Sequence, residues 1–140
     1  MRFAPSRLEL WLNPRMNAYV VKFESVNTKY TDNTANGGGS TASYVTATTD
    51  YFFLLSEFEV FGSITYGNTN EKNKQAQYAY YSAGNSKIKY KHNGTSTAVI
   101  WWLRSPYANS PAFFAYGSAN GTVSCYNAYY SFCFAPGFCV

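Results

Sequence analysis

Residues 105–140 read SPYANSPAFFAYGSANGTVSCYNAYYSFCFAPGFCV, and the rest of the chain is organised around this stretch. It holds no Asp, Glu, Lys, Arg or His, and no Leu, Ile, Met, Gln or Trp. Ten of its thirty-six residues are aromatic: Tyr107, Phe113, Phe114, Tyr116, Tyr126, Tyr129, Tyr130, Phe132, Phe134 and Phe138. Tyr gives large, stiff contact area at low entropic cost, while Ser, Gly and Asn give adaptable hydrogen bonding, which is the vocabulary of binding loops. The stretch therefore reads as a recognition surface that the preceding residues hold in place. Within it, Asn120-Gly121 is a hairpin signal that predicts Phe113–Ala119 paired with Thr122–Tyr126. Pro136-Gly137 then turns the chain into a short closing strand, Phe138-Cys139-Val140.

Two apolar runs upstream supply the expected core. AVIWWLRSP, 98–106, reads as a core strand that Pro106 ends. Tyr51–Leu55 reads as a strand buried on both faces. Ser56 then caps a short helix carrying Glu57 and Glu59, with Phe58 and Phe61 turned inward and Gly62 closing it. The two carboxylates diverge on a helix and make a poor acid/base pair, so capping and the helix dipole explain them better. Arg104, at the end of a buried strand, needs a carboxylate or several carbonyls, and Glu57 or Glu59 is its expected partner.

Elsewhere, Ser6–Trp11 reads as a short helix with Ser6 as cap, and Asn17–Val26 fits strand or helix equally. Residues 31–49, TDNTANGGGSTASYVTATT, read as a mobile internal loop, and they lack the ending of a phosphate-cradling loop. Asn68–Gly84 reads as the best helix, with its Tyr residues as packing, and Lys87–His92 as a half-exposed strand leading into an Asn93-Gly94 turn.

The charge is uneven. All seven acids lie at or before Glu71, and from Lys72 onward there are six cations and His92. A solvated basic segment around residues 72–91 explains this, and no nucleic-acid motif accompanies it. Cys125, Cys133 and Cys139 give no disulfide framework beyond one bridge, and they read as small buried or half-buried groups. A zinc site lacks ligands, and calcium-dependent sugar capture lacks carboxylates in residues 105–140. No run is long enough to insert in a membrane, and Met1-Arg2-Phe3-Ala4-Pro5 is no apolar signal segment. No cofactor or catalytic residue is expected.

YFFLLSEFEVFG at 51–62, IWWLRSP at 100–106, Gly121 and APGFCV at 135–140 resemble the DUF6273 domain of gut phages and Firmicutes, as do TKYTDNT at 28–34 and NKQAQYAYYSAGNSKIKY at 73–90. That domain is similar to C-type-lectin-like and formylglycine-generating-enzyme-like folds. The resemblance implies one α+β domain over residues 1–140, with a small mixed or antiparallel sheet, two helices and long irregular C-terminal loops. Phage-borne relatives diversify such loops with a retroelement that mutates adenines, chiefly in Asn codons, and so never yields Lys, Glu, Gln, Met or Trp there. Residues 105–140 lack those five. By this likeness Phe114, Gly121, Ala128, Ser131, Pro136, Phe138 and Val140 are framework, with Phe134 as a further anchor. Of the displayed positions, Tyr107, Asn109, Tyr116, Ser118, Asn120, Tyr126, Asn127, Tyr129, Tyr130 and Phe132 are the candidate ligand-binding residues. Gly117 and Cys133 depart from the family pattern, which has an apolar residue and Gly at those places.

The implied function is a non-enzymatic ligand- or receptor-binding domain, displayed by a phage tail fibre on the virion or by a bacterial surface protein. Its expected partner is a host-surface protein or glycan, with no nucleic acid and no membrane insertion. Homo-oligomerisation is expected through a fibre region N-terminal to the sequence. The alternative is a structural or assembly domain with no ligand of its own. Enzymatic action by analogy with formylglycine generation has only fold likeness behind it.

Overall fold

A computed structural model describes residues 9–13, 18–22, 26–33 and 39–137. Strand β1 (Glu9–Asn13) pairs antiparallel with β2 (Ala18–Lys22), and β3 (Asn27–Asp32) pairs antiparallel with β4 (Val45–Asp50). A short β5 (Phe53–Leu54) leads into helix α1 (Glu57–Phe61). A 3-10 turn (Thr69–Asn73) and helix α2 (Ala79–Ser82) follow, then the β6 (Lys89–Lys91) and β7 (Gly94–Val99) hairpin. The remaining strands are β8 (Trp101–Pro106), β9 (Phe113–Gly117), β10 (Val123–Asn127), β11 (Cys133–Phe134) and β12 (Pro136–Gly137). Over the described residues the fold is mixed α/β, built of small and mostly antiparallel sheets with two helices.

The central sheet has the order β10-β9-β8-β11, with β11 parallel to β8 and the other pairs antiparallel. Alternation along its strands divides the side chains between two faces. Trp101, Leu103 and Ala115 point to the core, where Val60 and Tyr81 meet them, with Leu55, Phe61 and Val123 packed around. Trp102, Phe114 and Tyr116 fall on the other face by the same alternation. Gly117 belongs to the core face beside its strand partner Trp101, and any Cβ there would collide with the indole. An apolar residue is excluded at this position because the Trp101 ring occupies its space, with Nε1 donating to the Lys87 carbonyl at 3.2 Å.

Several expectations are corrected. Glu9–Trp11 is strand, not helix: Leu10 and Leu12 stand two residues apart, which is the strand period. Ser6, the expected cap, lies outside the described residues. Ala18–Lys22, ambiguous in sequence, is also strand. Thr31–Asp32 and Val45–Thr49, read as parts of a loop, are paired strand in which β-branched Thr and Val suit the pleat. Tyr51 and Phe52 are exposed, and only Phe53–Leu54 pairs, against Gly137 and Pro136. The helix expected over Asn68–Gly84 breaks into the 3-10 turn, an extended link and α2. Asn68 stands at the cap as expected, accepting from Asn70 N–H while its amide donates to the Asp32 carboxylate and the Thr41 carbonyl. In the link, Tyr78 N–H donates to the Glu59 carbonyl at 3.0 Å. The 98–106 run divides at Ile100 between β7 and β8, and β8 alternates rather than being buried throughout.

Other readings hold. Ser56 and Glu59 form a reciprocal capping box on α1, which Gly62 closes at φ +70°. Asn120-Gly121 turns the β9–β10 hairpin, with Val123 opposite Gly117 and Asn127 opposite Phe113. Phe138, Cys139 and Val140 lie outside the described residues. Among the described residues, no helix is long and apolar enough to cross a membrane.

Candidate ligand-binding face

Strands β10 and β11 are opposite edges of the central sheet, so the chain from Ala128 to Phe132 must cross its breadth. It crosses on the outer face, and the rings show this directly. Phe132 packs on Trp102 at 4.8 Å between centroids and meets Tyr116 edge-on at 5.5 Å. Tyr116 also stands edge-on to Trp102, its strand partner across β8 and β9. Tyr130 stacks toward Phe132 at 27° and Tyr129 stacks on Tyr130 at 28°. Tyr126 closes the group, edge-on to Tyr130 at 4.6 Å and tilted against Phe132. Offset and edge-to-face pairs of this kind each stabilise by roughly 0.5–1.5 kcal/mol beyond their buried area. The result is a preorganised wall of uncharged rings, half-buried at Phe132 and 73% exposed at Tyr129. The Tyr130 hydroxyl beside Tyr126 holds the Tyr126 phenol above its ordinary pKa.

The ten candidate residues therefore fall into three groups. Tyr116, Tyr126, Tyr129, Tyr130 and Phe132 form the wall. Tyr107 sits past one end, edge-on to Tyr66 and Phe113, with exposed Asn109 donating to its hydroxyl at 3.3 Å, and Asn127 ends β10 opposite Phe113. Ser118 and Asn120 lie at the other end, at the hairpin turn, where they bond each other and Thr122. Those two close the turn as much as they display. Phe134, expected to anchor the region, is 71% exposed, because β11 pairs at the sheet edge and turns this ring outward. Cys133, its neighbour on this edge strand, is exposed too, while Cys125 is half-buried; both thiols are free. Burial, and then the Glu57 charge, raise the Cys125 pKa. Trp102 was not among the sequence candidates, since it lies outside residues 105–140. Its place opposite Tyr116 comes from the β8–β9 pairing, which the Asn120-Gly121 turn does not set.

Next to the wall, a cleft of about 840 Å³ opens between the outer face and the β3–β4 hairpin. Trp102, Phe114, Ala128 and Phe134 line it from the sheet side, and Lys29, Thr48 and Asp50 from the hairpin side. Trp102 thus belongs to both wall and cleft. Behind them lies a buried polar cluster. Arg104 donates to Glu59 Oε2 and to the Leu54 carbonyl, each at 2.6 Å, and also to Gln75 and the Tyr30 carbonyl. Lys29 reaches the other Glu59 oxygen at 3.1 Å and the Tyr78 hydroxyl at 2.7 Å, lying over the Phe53 ring. Burial pushes the Glu59 carboxyl up, but Arg104, the Ser56 N–H and Lys29 outweigh it and hold the pKa below its ordinary value. The fully buried Glu57 carboxylate accepts from the N–H groups of Thr65, Tyr66 and Gly67. Glu71 is equally buried and accepts from the Ser105 hydroxyl at 2.6 Å. Burial pushes its pKa up to about 7. Among the described residues, no group of His, Cys, Asp or Glu is arranged to hold a metal.

The chain is a member of DUF6273, a domain of unknown function, whose family model matches residues 1–140. No curated protein and no solved structure matches it.

Proposed function

We propose that the chain is a ligand-binding module whose recognition surface is the outer face of the central sheet. Tyr116, Tyr126, Tyr129, Tyr130 and Phe132 make contact, and Trp102 backs them. The observation that carries this reading is the crossing of Ala128–Phe132 over that face, which gathers uncharged rings into one wall. Aromatic anchors of this kind dominate interface energies, and prior packing lowers the ordering cost of binding. The ligand is a protein or glycan on a host cell, and the carrier is a phage tail fibre or a bacterial surface protein.

A C-type-lectin-like arrangement with retroelement-driven variation is part of the same proposal. Its support is the missing Lys, Glu, Gln, Met and Trp in residues 105–140, together with the gathering of five displayed positions into one wall. Sequencing copies of the locus tests it. Substitutions confined to the displayed positions, with Trp102 and Gly117 constant, are expected. Changes spread evenly along the chain would favour the assembly-domain reading, in which the wall docks on a neighbour in a larger particle.

A further inference from the structure

The cleft beside the aromatic wall has two unlike sides. Trp102, Phe114 and Phe134 line the sheet side, and Phe132 and Tyr116 hold the Trp102 indole from the wall. Thr31, Thr48 and Asp50 line the hairpin side. Lys29 and Thr48 are partners in the β3–β4 register, so Thr31 and Asp50, two residues further along each strand, fall on the same face. The hairpin therefore turns hydroxyls and a carboxylate to the cleft, not an open edge to which a peptide strand could add. Thr31 is 8% exposed, and its hydroxyl oxygen finds no hydrogen-bond partner among the described residues. Buried polar groups almost always have a partner, and rotation about χ1 brings this hydroxyl to a group in the cleft.

Charge narrows the ligand further. Lys29 and Arg104, the cations among the described lining residues, are both held by Glu59. Asp50 lines the cleft from an exposed position, where its carboxylate accepts from hydroxyl groups and repels an anion. We propose that the cleft is a binding subsite for a neutral saccharide. The apolar C–H face of a pyranose ring lies against Trp102, Phe114 and Phe134, and its hydroxyls meet Thr31, Thr48 and Asp50. Small-ligand sites combine apolar walls with a few convergent polar groups, and the cleft's volume of about 840 Å³ falls within their usual range of roughly 300–1,000 Å³. This inference rests on the ligand-binding reading of the outer face, and it chooses glycan over protein for the cleft.

A printed array of neutral oligosaccharides, hexose and N-acetylhexosamine chains, beside their uronic-acid counterparts tests this. The native chain is expected to bind neutral members and to bind uronic ones about threefold more weakly. Thr31→Val keeps the side chain's shape and removes the hydroxyl, and Phe134→Ser removes an exposed ring that lines the cleft. Each should weaken neutral binding roughly fivefold. Asp50→Asn should abolish the discrimination against uronic members, and Tyr90→Ser, an exposed ring on β6, should change nothing. Amide NMR with the best-bound neutral oligosaccharide should then place the largest shifts at Thr31, Thr48 and the Trp102 indole. Absence of neutral binding, neutral binding that either Thr31→Val or Phe134→Ser leaves intact, or equal binding of uronic members overturns the inference. Shifts confined to Tyr129 and Tyr130 also overturn it, while leaving the wall as the ligand-binding surface.

Discussion

Arg104 Nη1 lies 2.6 Å from Glu59 Oε2, and this pair ties strand β8 to the capping box at the start of α1. Both side chains are largely buried, so the pair is screened little by solvent. Truncating one partner of a buried pair leaves the other charge uncompensated, a loss of about 3–5 kcal/mol. Arg104→Met is expected to lower stability by that order in urea unfolding. The double variant with Glu59→Gln should recover part of the loss, giving a coupling well above 0.5 kcal/mol.

The same carboxyl sets an acid limb. Glu59 has a folded pKa below its ordinary value, so its contribution is present above the unfolded value near 4.3. As pH falls through the lower folded value, that contribution disappears. Thermal melts between pH 5 and pH 2 should therefore show a drop in Tm that is smaller in Glu59→Gln. An equal slope in both proteins would contradict the assignment.

Gly117→Ala places a methyl group where the Trp101 indole lies. Overpacking a filled core costs about 1–3 kcal/mol. A lower denaturant midpoint is expected, with a shift in Trp fluorescence as the Trp101 bond to the Lys87 carbonyl is disturbed.

Wall residues should separate by exposure. Tyr129→Ser is expected to change stability by no more than about 0.5 kcal/mol, as for ordinary surface positions. Phe132→Ala removes the ring that Trp102, Tyr116, Tyr126 and Tyr130 share and should cost about 2 kcal/mol, less than a fully buried Phe. Calorimetric melts of the two variants check this. Equal losses would mean that Phe132 is not the hub.

Local chemistry was the legible part of the chain. Ser56, Glu59 and Gly62 announce α1 because capping acts within a few residues. Asn120-Gly121 announces its hairpin for the same reason, and a buried Arg104 required a partner that Glu59 supplies. Failures came where distant contacts outweighed local preference. The expected helix breaks after Asn73, where Gln75, Gln77 and the Tyr78 N–H bond Arg104, the Val60 carbonyl and the Glu59 carbonyl far away in sequence. Glu57 reads as a dipole residue but anchors the 65–67 backbone. Phe134 reads as core because composition cannot tell which way a ring faces on an edge strand. The wall's aromatic content was readable, whereas Trp102 entered only through strand order.

The crossing from β10 to β11 spans three strand spacings, about 14 Å, with five residues between the strands. Six backbone steps reach about 20 Å at full stretch, and the turn closed by Tyr130 N–H on the Asn127 carbonyl takes up part of that reach. Such a tether has little spare length. Removing one residue from it should unpair Cys133 from Trp101, and adding one should lift Phe132 off Trp102. The surface can therefore change its chemistry by exchanging one side chain for another, but it tolerates little change in length.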